Sequence, residues 1–367
     1  MSSTPDSSAA ESPAGLRVLH VADSDVMVRF GRMFRELGLA LSDEGVRVAL
    51  LTDDARAAAA LDGTPVEDLH VPALGGWRGW RLATYLRNLE PPPDLVHLWG
   101  TTGLHALSGW TAVRGAPLLI HCVSVADVER LDRRGVRPHE QVLAACTAFA
   151  RSLHERAAGP IEAEAIPPAL LARATAEEPL SRERTPGVLW CGKLAAGNGL
   201  PVLLQAVERL RVRSQELHLA LIGRGPAKRS LWRELRARKL LDCVSLLDEP
   251  AMWPAALYGA DILILPTCQR ELWLAPLEAM AGGRLVIASR DQLADWLIED
   301  QTCHMFAPGD ADELAACISR AVARHPQTLA VTRAAAEYVR RTHTVAGLAA
   351  RLVAHYRRIL TPAEVSR

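Results

Sequence analysis

The chain lacks any charge imbalance: its 42 Lys and Arg are matched by 42 Asp and Glu, for a formal net charge of +0. No global field recruits nucleic acid or an anionic surface, so recognition of phosphate must be local. It also lacks an apolar run near the ~18 residues that a membrane helix needs. Residues 1–13 are rich in Ser, Ala and Pro without an apolar h-region, which reads as a disordered tail and not a signal peptide. Cysteines at ligand spacing are missing too. The 7 cysteines are odd in number and scattered, without C-x-x-C, and several sit in apolar strand-like runs such as 188–191. They read as reduced core residues of a cytoplasmic protein. No internal repeat is visible.

What is present suits two domains. A chain of 367 residues, 49% hydrophobic and 23% charged, can build two full cores. Residues 16–22 (LRVLHVA) read as a strand, 27–42 as a helix and 46–52 as a second strand, a βαβ opening. The helix carries Arg29, Arg32 and Arg35 beside Met27, Phe30, Met33 and Phe34. Such a face fits either peripheral contact with a membrane or lipid-linked molecule, or a core-facing stripe with a solvated basic edge. Apolar runs at 117–121 and 142–146 continue the strands, the second followed by a helix over 147–156 that Thr147 would cap. After Ile166-Pro167-Pro168 the composition shifts to Ala, Glu and Arg, a linker pattern.

A second α/β series begins at Gly187. Residues 188–191 form its first strand, and Gly192-Lys193-Leu194-Ala195-Ala196-Gly197-Asn198-Gly199 leads into a helix over 200–213. Glycines between strand and helix let backbone N–H groups approach phosphate oxygens at a helix amino terminus. The organising stretch is 261–289: a wholly apolar strand over 262–265 closed by Pro266, a loop to about Trp273, a helix over 275–280 stopped by Gly282-Gly283, and a strand over 285–288. Ligands of open α/β sheets bind beyond the carboxyl ends of strands, so the loop 267–275 is the expected seat of an anion.

Leu265-Pro266-Thr267, Leu277-Glu278-Ala279-Met280-Ala281-Gly282-Gly283 and Val286-Ile287-Ala288-Ser289 resemble the nucleotide-sugar half of the retaining family 4 glycosyltransferases of the GT-B fold. Gly192, Leu194 and Gly199 fall in register with that family's G-R-L-x-x-x-K-G, Gly223-Arg224-Gly225-Pro226 with its G-x-G-P, and Asp94 to His97 with its D-V-V-H. The resemblance runs over 16–360. It implies an α/β GT-B architecture, two Rossmann-like parallel-sheet domains facing a central cleft. The expected divisions are a tail (1–14), an acceptor domain (15–168), a linker (169–186), a nucleotide-sugar domain (187–344) and a final helix packing back on the first domain (345–367).

The resemblance also implies roles. Glu278 would accept both ribose hydroxyls, since a carboxylate can receive two hydrogen bonds from a vicinal diol. Lys193, with Arg224 or Arg270, would hold the diphosphate beside Gly192, Asn198 and Gly199. Glu271 would meet the sugar hydroxyls. His121 would touch the donor sugar, although strict alignment puts Val123 there, and Asp23 and His97 would face the acceptor side. His97 also reads as a hydrogen-bonded structural residue. The implied chemistry is hexosyl transfer with retention from a nucleoside-diphosphate sugar to a carbohydrate, lipid-linked or small-molecule acceptor, without a further cofactor and without nucleic acid.

Several positions depart from the family pattern. Arg270 stands where the first glutamate of E-x7-E belongs, Glu271 comes one residue late, and Leu272-Trp273 replaces F-G. Asn198 replaces the loop lysine, Asp23-Ser24-Asp25 replaces a Gly-Gly turn, and Arg290-Asp291 and Asp295 replace glycines and a glutamate. Asp23-Ser24-Asp25 has the D-x-D spacing that holds a divalent ion in other transferase folds, but it lies in the acceptor half, so no metal is expected. These changes leave a second reading open, a catalytically inactive GT-B scaffold serving as a binding or regulatory protein. Arg270 discriminates: facing the donor it would suit an acidic sugar or an extra phosphate, and turned to solvent it suits loss of activity.

Overall fold

The computed structural model describes residues 15–56, 61–74, 79–156, 158–171, 184–247, 252–323 and 326–361. The expected tail, most of the expected linker (172–183) and the final residues 362–367 lie outside the described residues. Among the described residues there are two sheets, all parallel.

The first contains β1 (Arg17–Ala22), β2 (Arg47–Thr52), β3 (Glu67–His70), β4 (Leu95–Trp99), β5 (Leu118–Cys122), β6 (Glu140–Ala144) and β7 (Ala163–Ala165), ordered β3-β2-β1-β4-β5-β6-β7. The second contains β8 (Gly187–Cys191), β9 (His218–Ile222), β10 (Val244–Leu247), β11 (Ile262–Leu265), β12 (Leu285–Ser289) and β13 (His304–Phe306), ordered β10-β9-β8-β11-β12-β13. Central strands such as β4, β5, β11 and β12 are buried at every position, which is why they read as unbroken apolar runs and not as alternating ones. Each sheet reverses its strand order once, between β1 and β4 and between β8 and β11. Loops leave such a switch point in opposite directions and open a crevice.

The helices are α1 (Ser24–Asp43), α2 (Gly79–Arg87), α3 (Leu104–Arg114), α4 (Val125–Arg134), α5 (Thr147–His154), α6 (Leu200–Val212), α7 (Lys228–Ala237), α8 (Trp253–Gly259), α9 (Ala275–Ala281), α10 (Ala311–Val322), α11 (Pro326–Thr342) and α12 (Val345–Leu360). α1 starts three residues before the apolar pattern does, because the Asp23 side chain accepts from the Val26 N–H at 2.8 Å and caps it. The cap expected from Thr147 is not made. Cys146 holds the N-cap position of α5 without a side-chain bond, and the Thr147 N–H and hydroxyl both donate to Asp295 of the other domain.

One apolar cluster spans the two domains, and a second lies wholly within the second domain. Leu272, Trp273, Leu277, Met280 and Trp253 of the second domain belong to the same buried cluster as Val26, Phe30 and Met33 of α1. α12 returns to the first domain, where the Tyr356 hydroxyl lies 2.7 Å from His97 Nδ1 and Arg351 donates to the Ala165 carbonyl of β7 at 2.7 Å. The basic face of α1 is used inward. Arg29 donates to the Leu272 carbonyl at 3.0 Å, and Arg32 pairs with Glu278 at 2.9 Å. Of the three arginines expected on a membrane-facing edge, Arg35 alone is exposed, so the core-facing alternative describes this helix.

Candidate active site in the interdomain cleft

At the switch point between β8 and β11, two loops diverge and leave a cleft of about 260 Å³. One wall is the Gly-rich loop after β8, with Gly192, Lys193, Gly197 and Asn198; the other is the loop after β11, with Thr267, Gln269, Arg270, Glu271 and Trp273. Ala126 of α4 lines it from the first domain.

Glycine is required where these loops touch. A Cβ on Gly223 would sit 1.9 Å from the Gly192 carbonyl oxygen, and one on Gly199, whose φ is +74°, would sit 2.8 Å from the Pro266 carbonyl carbon. The loops therefore pack backbone against backbone, and α6 points its amino end into the cleft. Asn198 accepts from the Leu200 N–H at 3.1 Å, which stabilises the first turn of α6. Lys193 is exposed at the rim, and Glu271 is half-buried in the opposite wall. Gln292 braces that wall by donating to the Thr267 carbonyl at 2.7 Å and accepting from the Gln269 N–H at 3.3 Å. Burial pushes the Cys191 thiol in the cleft up to about 12, which leaves it a poor nucleophile.

The second wall is tied to the first domain through main chain. Ser124 and Glu271 form an antiparallel bridge, in which the Leu272 N–H donates to the Val123 carbonyl at 3.0 Å and the Val125 N–H to the Arg270 carbonyl at 2.7 Å. Arg29 ties the two segments of the bridge together, donating to the Leu272 carbonyl at 3.0 Å and to the Val123 carbonyl at 3.4 Å. Trp273 fills the place of a family glycine. It packs edge-on against Trp253, 6.4 Å between centroids, and Trp253 Nε1 donates to the Val28 carbonyl at 2.9 Å.

Gly192, Lys193, Asn198, Arg270 and Glu271 thus line one cleft, with Gly199 at its margin. Arg270 lines it too, and its guanidinium pairs with Glu129 of α4 at 2.6 Å, the side chain 65% exposed. Arg224 is exposed on the neighbouring turn, where its carbonyl accepts from the Leu194 N–H at 2.8 Å, and it does not line the cleft.

Three expectations are corrected. His97 does not face the cleft: it is fully buried beneath α12, against Tyr356, with burial and the neighbouring His20 and His121 holding its pKa well below the ordinary value. His121 is also fully buried, stacked 4.3 Å from Trp99 with Nε2 3.0 Å from the Ile166 carbonyl, and burial holds it at about 3. The apolar sheet interior consumed both side chains, so neither touches a ligand in the cleft. Asp23, half-buried at the carboxyl end of β1, caps α1 and accepts from the Thr102 hydroxyl at 2.5 Å. Glu278 does not line the cleft. It belongs to a separate small cavity with Arg32, Tyr258 and Arg284 and is ion-paired to Arg32.

Asp127 went unread in the sequence. It is buried, accepts from Thr101 and Ser124 hydroxyls at 2.7 Å each and from the Val123 N–H at 3.1 Å, and so fixes the loop that pairs with Glu271. The signal was Ser124-Val125-Ala126-Asp127, a capping-box spacing. Among the described residues no group of three or more His, Cys, Asp or Glu could hold a metal ion, and no helix is long and apolar enough to cross a membrane.

Residues 185–324 match the family described as glycosyl transferases group 1. The chain is 28% identical over 138 residues to an alpha-D-kanosaminyltransferase of Streptomyces kanamyceticus, covering 37% of this chain and 36% of that one. It is 29% identical over 211 residues to a 2-deoxystreptamine glucosyltransferase of the same organism, covering 56% and 53%. The matched region thus spans between about a third and about half of the length of these relatives. In structure the chain is similar to HepE of Anabaena, solved with UDP and glucose, with a TM-score of 0.77 at 15% identity over 94% of this chain and 100% of that one. That likeness establishes the GT-B fold.

Proposed function

We propose that this chain, whose residues 185–324 form a glycosyl transferases group 1 domain, moves a hexose from a nucleoside-diphosphate sugar to an acceptor hydroxyl with retention of configuration. The observation that carries the reading is the cleft itself: an exposed Lys193 and the amino end of α6 face a half-buried Glu271 across one pocket at a sheet's switch point. Negative charge grows on the leaving diphosphate as the bond from C1 to the β-phosphate oxygen breaks. Lys193 and the N–H groups of the Gly-rich loop stabilise that charge more in the transition state than before it. The acceptor oxygen bonds to C1 on the same face, and its proton passes to the departing phosphate oxygen. Glu271 orients the sugar hydroxyls.

The family's ribose role for Glu278 is not part of this reading, because its carboxylate lines a separate cavity and pairs with Arg32. Nor is a diphosphate role for Arg270, whose guanidinium is held by Glu129. These two pairings favour the second reading, a GT-B scaffold that no longer turns over donor. Calorimetric titration with UDP, GDP and ADP and their glucose and mannose conjugates separates the two. Micromolar binding of one nucleotide and its conjugate supports the transferase. Absence of binding to all of them defeats it and leaves the scaffold reading.

A further inference from the structure

Residues 228–239, KRSLWRELRARK, hold six cations and one acid in a chain of zero net charge. Arg229, Trp232, Arg233 and Arg236 recur at i, i+3, i+4 and i+7, so they share one face of α7, and all four are exposed. Leu231 and Leu235 are buried on the opposite face. Trp232 is 40% exposed, and two further exposed apolar side chains, Leu241 at 45% and Val212 at 86%, belong to the segments that meet beyond the carboxyl end of α7. Arg211 draws these ends together by binding the Lys239 carbonyl and pairing with Asp242 at 2.8 Å. Among the described residues Arg238 takes Glu208 and Glu234, and Arg211 takes Asp242. Arg229, Arg233 and Arg236 make no ion pair with another described residue.

From this face we infer that α7 docks the protein on the surface of an anionic lipid bilayer. The guanidinium groups of Arg229, Arg233 and Arg236 meet lipid phosphates, while Trp232, Leu241 and Val212 enter the boundary between headgroups and acyl chains, where an amphipathic indole is most favourable. A soluble polyanion would use the arginines but give the three apolar side chains nothing to bury against. The Ala227 N–H donates to the Leu194 carbonyl at 2.9 Å, so the amino end of α7 is joined to the Gly-rich wall of the cleft. A bilayer against α7 would hold the cleft mouth close to the lipid surface.

The test is co-sedimentation of the full chain with phosphatidylcholine vesicles, with and without phosphatidylglycerol, at low and high salt. Binding is expected only to the anionic vesicles and to weaken with salt. Arg229→Gln/Arg233→Gln/Arg236→Gln should partition about a hundredfold less, the combined effect of three cations near an anionic surface. Trp232→Ser should weaken binding on its own. Unchanged thermal unfolding verifies that the variants fold. Equal binding to both vesicle types, or a triple variant that binds like the parent, overturns the inference. So does heparin binding unaffected by Trp232→Ser together with failure to sediment with vesicles, which would mark a polyanion site.

Discussion

Arg32 of α1 and Glu278 of α9 meet at 2.9 Å, from opposite domains, with the glutamate side chain only 4% exposed. Burial works against the Arg32 charge, yet the Glu278 and Glu36 carboxylates hold its pKa above the ordinary value. Arg32→Met therefore removes a charged partner from a buried carboxylate and should cost about 2 kcal/mol, as for loss of a hydrogen bond between charged groups. The double variant Arg32→Met/Glu278→Leu should recover much of that loss. Urea denaturation of the full cycle checks this, and strictly additive costs would show that the pair is uncoupled.

Lys193 stands exposed at the rim of the cleft, so Lys193→Ala should leave stability unchanged. It should weaken nucleotide binding about tenfold or more, as expected for loss of a charge-assisted hydrogen bond worth roughly 1.5–3 kcal/mol. Calorimetry on both proteins is the measurement. Equal affinity would remove Lys193 from the site.

Gly223→Ala probes the loop packing. The new Cβ would lie 1.9 Å from the Gly192 carbonyl oxygen, a backbone atom that cannot turn aside, so the Gly-rich wall must move. Nucleotide affinity should fall while Ser230→Ala, on the next helix, leaves it intact. A variant with native affinity would mean that this wall is not the phosphate cradle.

Acid should unfold the protein early. His20, His97 and His121 are fully buried on neighbouring strands, and burial, reinforced for His20 by His121, holds His20 and His121 at about 3 and His97 well below its ordinary value. Below pH 6.5 the unfolded chain binds these protons and the folded chain does not. Stability present above pH 6.5 is thus lost as the pH falls, by ~1.4 kcal/mol per unit for each histidine and roughly 4 for the three. Denaturation midpoints at pH 7, 6 and 5, above most carboxylate titration, are the check. A flat profile over that range would contradict the neutral stack.

Double-buried strands, glycine punctuation and the GT-B resemblance were legible in the chain because each depends on local sequence. Ile262–Leu265 occurs where the apolar run puts it. The fate of polar side chains was less legible. His97 and His121 sit at strand positions whose neighbours in space, Tyr356 and the Ile166 carbonyl, come from 259 and 45 residues away in sequence. Glu278 looked like a ligand residue from its Glu-Ala-Met-Ala setting, yet Arg32, 246 residues away, claimed it. β3, of mixed polarity, and β13, only three residues long, gave too little pattern to be read.

The bridge between Ser124 and Glu271 has a kinetic side. Two amide protons, on Val125 and Leu272, are held only while the loops of the two domains stay paired. Separation of the domains must release both together, before either domain loses its sheet. Their exchange with deuterated solvent would then run at one shared rate, faster than that of β5 or β11, and would time the opening of the cleft without any ligand.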